Sequence, residues 1–411
     1  MTGKNRFASV ATAGVTFQAG SAAVDSATIM SALVYQLSGS SVLVGAVTAI
    51  LRFGWLFPQL IVGYLAQCRG SSMRYYVIGA FGRALCIACL AATLFIGKNW
   101  SATTLTFVVM VLWTAYAFVS GIVAVPYNDI VARSVPSELR SRLLATRFFG
   151  GGVLALGVAA IADRLVEGLP FPVSYAGILI LATGLMLVSS IVFTAMGEPS
   201  GQRDNGKESD PTFWEYLKEG WLVFQTDRKF RLFVYAQWCG GAVLMAMPFY
   251  IVQASSVGIG FEHVALMLGA QTAGALSSNV LWGWWGDRLG KRSLLRAISV
   301  GRIFPPLLVL FLVAYKGNAA VLSLPSYVVL FFVLGALANG LTVAVIGFLM
   351  EISPDDRRPA YSGYFNALAA PAFLLPLFAG AIAAVIGLSI VFAISAAAAV
   401  LQSYILFKIA D

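Results

Sequence analysis

Gly283-Trp-Trp-Gly-Asp-Arg-Leu-Gly-Lys-Arg-Ser-Leu-Leu295 is a tight basic turn carrying a single acid, Asp287, between two apolar stretches that could each cross a bilayer. About 220 residues earlier a worn copy occupies the same setting, Gly63-Tyr-Leu-Ala-Gln-Cys-Arg-Gly-Ser-Ser-Met-Arg74. Each copy is followed by a Gly-Arg pair inside the next apolar stretch, Gly82-Arg83 and Gly301-Arg302. The chain therefore reads as two related halves embedded in lipid.

Composition supports that reading. With 59% hydrophobic and 11% charged residues among 411, a water-soluble fold could not cover its own surface, so lipid must solvate most side chains. At roughly 20 apolar residues per crossing the length allows about twelve spans. They are expected near 8–36, 42–66, 75–96, 103–128, 144–162, 174–196, 231–254, 264–285, 294–315, 324–349, 361–386 and 389–407. The fold class is all-α, twelve transmembrane helices in two pseudo-symmetric six-helix bundles, 1–197 and 231–411, joined by a linker over 198–230. No cleavable signal is expected, since the first apolar run is too long for a signal core and contains Asp25.

The net charge of +9 is a topology signal and implies no nucleic-acid partner. Of the lysines and arginines, Arg52, Arg83 and Arg302 lie deep within spans, and Lys98, Arg164 and Lys316 fall on the side opposite the termini. All others fall on the terminal side, which the positive-inside rule makes cytoplasmic. A multi-pass protein of the plasma membrane, most simply a bacterial inner membrane, is expected. The linker opens as a polar tether. From the Asp210-Pro211 cap it continues as an amphipathic helix with Phe213, Trp214, Leu217, Trp221 and Phe224 on one face.

Other motifs carry little chemistry. Cys86 and Cys89 sit in an apolar span without acids or histidine, which favours packing over metal or redox roles. Asn99-Trp-Ser101 matches a glycosylation pattern that arises by chance, and His263, the lone histidine, reads as a solvated loop residue. Gly290-Lys291 lacks the spacing of a phosphate-binding loop. No metal or cofactor is expected, and the chain is not read as an enzyme.

Val135-Pro-Ser-Glu-Leu-Arg140 and Ser353-Pro-Asp-Asp-Arg-Arg358 repeat at the same offset and read as helix starts. Two six-span halves, a Gly-x-x-x-Asp-Arg-x-Gly-Lys-Arg turn and its relic resemble the major facilitator superfamily of secondary transporters over essentially the whole chain. The resemblance implies alternating access around a central cavity. It also implies a terminal-side gate at Gly283, Asp287, Arg288, Gly290, Lys291 and Arg292, with Arg140, Arg142 or Arg147 as partners of Asp287. Gln67 and Cys68 replace the family's Asp and Arg in the first copy, and the fifth span has Gly150-Gly-Gly152 and Gly157 without the Gly-Pro step of drug–proton antiporters.

Ionisable groups deep in a membrane mark function, because each costs roughly 2.5–3.5 kcal/mol on insertion scales. Asp25 and Arg52 both lie about 15 Å from the far ends of their spans and could pair. Arg83 and Arg302 lie about 12 Å from the terminal ends of the third and ninth spans. Three deep arginines against one deep aspartate call for an anionic partner. Gln237, Trp238, Gln271, Asn279, Asn339 and Asn366 are further candidates for the cavity wall, or for interhelical bonding. The expected activity is secondary transport of a small organic, anionic solute coupled to protons, by a monomer in the lipid bilayer. An exporter of hydrophobic compounds or drugs, and a non-transporting receptor or assembly factor on the same scaffold, are the alternatives.

Overall fold

The computed structural model of the protein describes residues 3–68, 72–198, 213–314, 320–353 and 358–409. Of the seventeen α-helices among the described residues, sixteen make up twelve crossings and one lies in the linker. In the first half these are α1 (Gly3–Ala22) with α2 (Ile29–Ser38), α3 (Ser41–Cys68), α4 (Ser72–Ile96), α5 (Ala102–Ser134), α6 (Ser137–Gly168) and α7 (Val173–Ala195). After α8 (Phe213–Thr226) the second half contains α9 (Arg228–Leu244) with α10 (Phe249–Ser256), α11 (Val264–Arg288) and α12 (Lys291–Gly301) with α13 (Phe304–Ala314). It ends with α14 (Ala320–Ile352), α15 (Arg358–Ala369) with α16 (Leu375–Val385), and α17 (Leu388–Lys408). Eleven of these crossings are individually long and apolar enough to span a membrane. The broken pair α1 and α2 supplies the twelfth.

Four crossings expected as continuous helices are interrupted, and each break has a local cause. The first breaks over 23–28, where the Asp25 carboxylate takes the amide protons of Ala27 and Thr28 and so competes with the helical ladder. The seventh breaks ahead of Pro248 and the ninth at Arg302 ahead of Pro305 and Pro306. In the eleventh a 3₁₀ turn over Ala370–Leu374 contains Pro371.

Glycines set how closely the helices approach. Gly121 of α5 faces the Gly54 and Trp55 carbonyls of α3, and a Cβ there would lie 2.6 Å from both. Gly150 and Gly151 admit Val15 and Gln18 of α1, and Gly152 meets Leu276 of α11 in the other half. The halves also meet through α3 and α16 at the far, non-terminal end. There a Cβ on Gly45 would lie 2.1 Å from the Pro376 carbonyl, and one on Gly380 would lie 2.6 Å from that of Ser41.

The terminal ends of the halves are tied separately. In the first half, Arg133 bridges Asp129 at 2.6 Å and Glu198 at 2.9 Å, while Ser72 donates to both carboxylates. Burial draws the Arg133 pKa down, but its bonds to the two acids outweigh this and hold it above the ordinary value. In the second half, Arg292 and Arg296 donate to the last carbonyls of the chain around α17, including Ile409, where cations also complement the helix dipole.

The linker helix α8 is not a free tether at the interface. Val223 and Phe224 are buried in the core of the second half, Gly220 abuts Tyr364 of α15, and the Tyr364 hydroxyl donates to Glu219 Oε2 at 2.7 Å. Trp221 stays half-exposed. The expected cap at Asp210-Pro211 lies outside the described residues, as do the side chains of Phe213, Trp214 and Leu217.

Two outcomes are expected. Arg133→Gln should cost on the order of 1–3 kcal/mol, read as a lower melting temperature of the purified protein, and an unchanged melt would remove the network from the stability of the first half. Gly45→Val should force the far-side contact apart at about 1–3 kcal/mol. That is enough to move the balance between the two access states by roughly 5- to 150-fold, and it should reduce thiol labelling of an Asn128→Cys reporter in the present cavity mouth. Undiminished labelling would mean that this contact does not hold the far side shut.

Candidate functional site

Asp25, Arg52 and Arg83 converge on one cavity of about 560 Å³ within the first half. α1 brings Phe17 to it, and the break that follows brings Asp25. α3 brings Arg52 and Trp55, α4 brings Tyr76 and Arg83, and α6 brings Arg147. α5 presents Tyr116, Ser120, Val123 and Tyr127 at helical spacing, a polar and aromatic stripe on one face. The cavity reaches Asn128, which is exposed near the terminal end of α5.

The expected pairing of Asp25 with Arg52 is not made. Asp25 Oδ1 accepts from Ala27 N at 3.0 Å, Thr28 N at 2.9 Å and Thr28 Oγ1 at 2.8 Å, so its bonds serve the start of α2. None of the ion pairs among the described residues involves Asp25, Arg52, Arg83 or Arg147. Arg52 instead lies over the Phe373 ring of the opposite half, 5.7 Å from its centroid. It also borders a second, smaller space of about 90 Å³, lined from the second half by Gln237 and Asn366.

Arg83 is buried with its guanidinium over the Phe17 ring at 4.0 Å, and its Nε has no hydrogen-bond partner among the described residues. Arg147, expected at the gate, belongs to this cavity. It stacks on Tyr127 at 5.3 Å and donates to the Tyr127 hydroxyl at 3.4 Å, with its own Nε unpartnered.

Arg302, the symmetric counterpart of Arg83, does not reach the main cavity. Its guanidinium donates to Gln402 Oε1 at 2.8 Å and to the Gly240 carbonyl at 2.9 Å, joining α9, α12 and α17 as a buried clamp. Other candidates are also absorbed by packing. Asn339 donates to Asn279 at 2.6 Å between α14 and α11. The Trp238 indole donates to the Leu368 carbonyl at 2.7 Å; Gln271 packs its backbone against Gly335, while its side-chain Oε1 is buried with no hydrogen-bond partner among the described residues. Cys86 and Cys89 remain free thiols.

At the gate, Asp287 is 79% exposed and pairs with Lys291 of its own turn at 2.8 Å, so the expected contact with the start of α6 is open in this state. Gly290 has φ +84°, a conformation that suits glycine at this turn. Gly283 has open space around it, Arg288 and Arg142 are exposed, and the Arg140 side chain lies outside the described residues.

The repeat offset explains part of this arrangement. At a spacing of 219, Arg52 aligns with Gln271, Arg83 with Arg302 and Arg147 with Asn366. The second half thus carries amides at two of the three cationic positions and a clamped arginine at the third. Among the described residues no group of three or more His, Cys, Asp or Glu converges as a metal site would require.

The sequence profile of the Major Facilitator Superfamily matches residues 242–409. No curated protein matches the chain in sequence. Among solved structures, a point mutant of the nucleoside transporter NupG superposes with TM-score 0.73 at 12% identity, covering 99% of this chain and 100% of that one. A D-xylose–proton symporter superposes with TM-score 0.68 at 15% identity, covering 99% and 98%. A bacterial homologue of the iron transporter ferroportin superposes in its inward-facing state with TM-score 0.70 at 14% identity, covering 100% and 99%. Its outward-facing state gives 0.65. The second half thus matches the superfamily's profile, and the chain over its whole length has the twelve-span, two-bundle fold of these solved transporters.

Proposed function

We propose that this secondary transporter moves a small organic anion by alternating access, driven by protons that bind Asp25. The carrying observation is the charge of the cavity. Arg52, Arg83 and Arg147 face one carboxylate, Asp25, whose Oδ1 is already occupied by α2. Buried cations without protein counterions favour an anionic guest, and the aromatic walls suit an organic body.

Positive-inside asymmetry supports a cytoplasmic terminal side. On that assignment the structure is inward-open, in keeping with the unmade Asp287 gate, the far-side glycine contacts and the higher TM-score to the inward-facing relative. Cysteine replacing Ser256 should then label from outside intact cells and cysteine replacing Thr226 should not; the reverse pattern would invert the topology.

Proton coupling requires a group whose proton affinity differs between the two access states. Asp25 meets the structural requirement, because its Oδ2 makes no hydrogen bond to a described residue while Oδ1 holds the break between α1 and α2. Asn at position 25 preserves the Oδ1 acceptor and removes the titrating charge. Asp25→Asn should therefore abolish pH-gradient-driven accumulation in liposomes and leave solute exchange intact. Arg52→Gln should impair both modes. A normal pH response in Asp25→Asn would eliminate it as the coupling group.

A further inference from the structure

Two arginines of the cavity form a local unit distinct from the Asp25 and Arg52 level. Gly14 and Phe17 lie one turn apart on α1, and each supports one guanidinium. A Cβ on Gly14 would lie 2.8 Å from Cγ and Cδ of Arg147, so the arginine stem runs directly over that glycine, while the Phe17 ring lies beneath Arg83 at 4.0 Å. Side chains three apart share a helix face. Both cations thereby rest on α1 and line the same cavity, and their Nε atoms are buried with no hydrogen-bond partner among the described residues.

No carboxylate among the described residues pairs with either arginine. Tyr127 adds a hydroxyl that accepts from Arg147 and keeps its own proton for donation to a guest. The Tyr76 ring stands 6.4 Å from that of Tyr127 and closes the same wall. Two like charges lining one cavity on aromatic faces, with forked donors open, call for about two units of negative charge on the guest.

We infer that Arg83, Arg147 and Tyr127 form a seat for a dianionic phosphate monoester, whose aromatic or other apolar body extends toward Trp55 and the Arg52 level. This rests on the organic-anion reading above and narrows it. A monocarboxylate would leave one guanidinium unanswered. The two carboxylates of a dicarboxylate diverge, whereas the three terminal oxygens of a phosphate monoester share one atom and carry roughly −1.5 to −2 at neutral pH.

The test is thermal stabilisation of the purified full-length protein by phenyl phosphate, inorganic phosphate, benzoate and phthalate, from about pH 8 to about pH 5, across the second phosphate ionisation near 6. Phenyl phosphate should stabilise most, and its effect should fall as the pH drops through that ionisation. Arg83→Gln should weaken phenyl phosphate binding about ten- to a hundredfold. Arg147→Lys keeps the charge, loses the fork and guards against misfolding of the first variant; it should weaken phenyl phosphate binding in the same sense. Benzoate or phthalate matching phenyl phosphate, or phenyl phosphate binding indifferent to pH and to Arg147→Lys, would overturn the seat and leave the organic-anion reading standing. No stabilisation by any of the four anions would overturn both.

Discussion

A guanidinium buried in a membrane protein must be answered by something, and the answers differ between the two halves of this molecule. Arg302 is answered by the protein, through the Gln402 amide and the Gly240 carbonyl, and becomes a rivet between helices. Arg83 and Arg147 are answered by aromatic faces and an open cavity. The same residue type at symmetric positions is structural in one half and open to a cavity in the other.

Keeping the remaining backbone satisfied in lipid explains where the helices are allowed to break. Unpaired amide and carbonyl groups cannot face hydrocarbon, so each interruption has a substitute. At the first break the substitute is the Asp25 carboxylate. The group proposed to titrate is therefore also the group that holds two helix segments in line. Loss of its negative charge weakens the bonds at that joint, which gives protonation a direct mechanical outlet in α2 and in the helices packed against it.

Much of this was legible in the sequence because lipid imposes long apolar runs and charge asymmetry, both of which survive as composition. The twelve crossings and the basic turn follow from counting residues. The clamping of Arg302 does not, since it depends on Gln402, 100 positions away, reaching the right face of α17. Arg147 is a related case: the family resemblance offered it with Arg140 and Arg142 as a partner of Asp287, but its stem packs over Gly14 and it lines the cavity. The α5 stripe of Tyr116, Ser120 and Tyr127 was available as a periodic signal within an otherwise apolar helix. The partners of Asp25 were not legible, because capture by amides two and three residues ahead leaves no mark in span-level hydropathy.

The far-side closure between α3 and α16 has a consequence for how the molecule senses its surroundings. Its closest approaches are glycine against backbone carbonyl, at Gly45 with Pro376 and Gly380 with Ser41, so that seal contains no charge for salt to screen and no group for pH to titrate. The opposite face carries Asp287, Lys291 and the Asp129, Arg133 and Glu198 network within reach of water, where ionic strength acts over about a Debye length of 8–10 Å. Electrolyte on the terminal side can reach these exposed pairs, whereas the glycine-to-carbonyl contacts of α3 and α16 offer it nothing to act on.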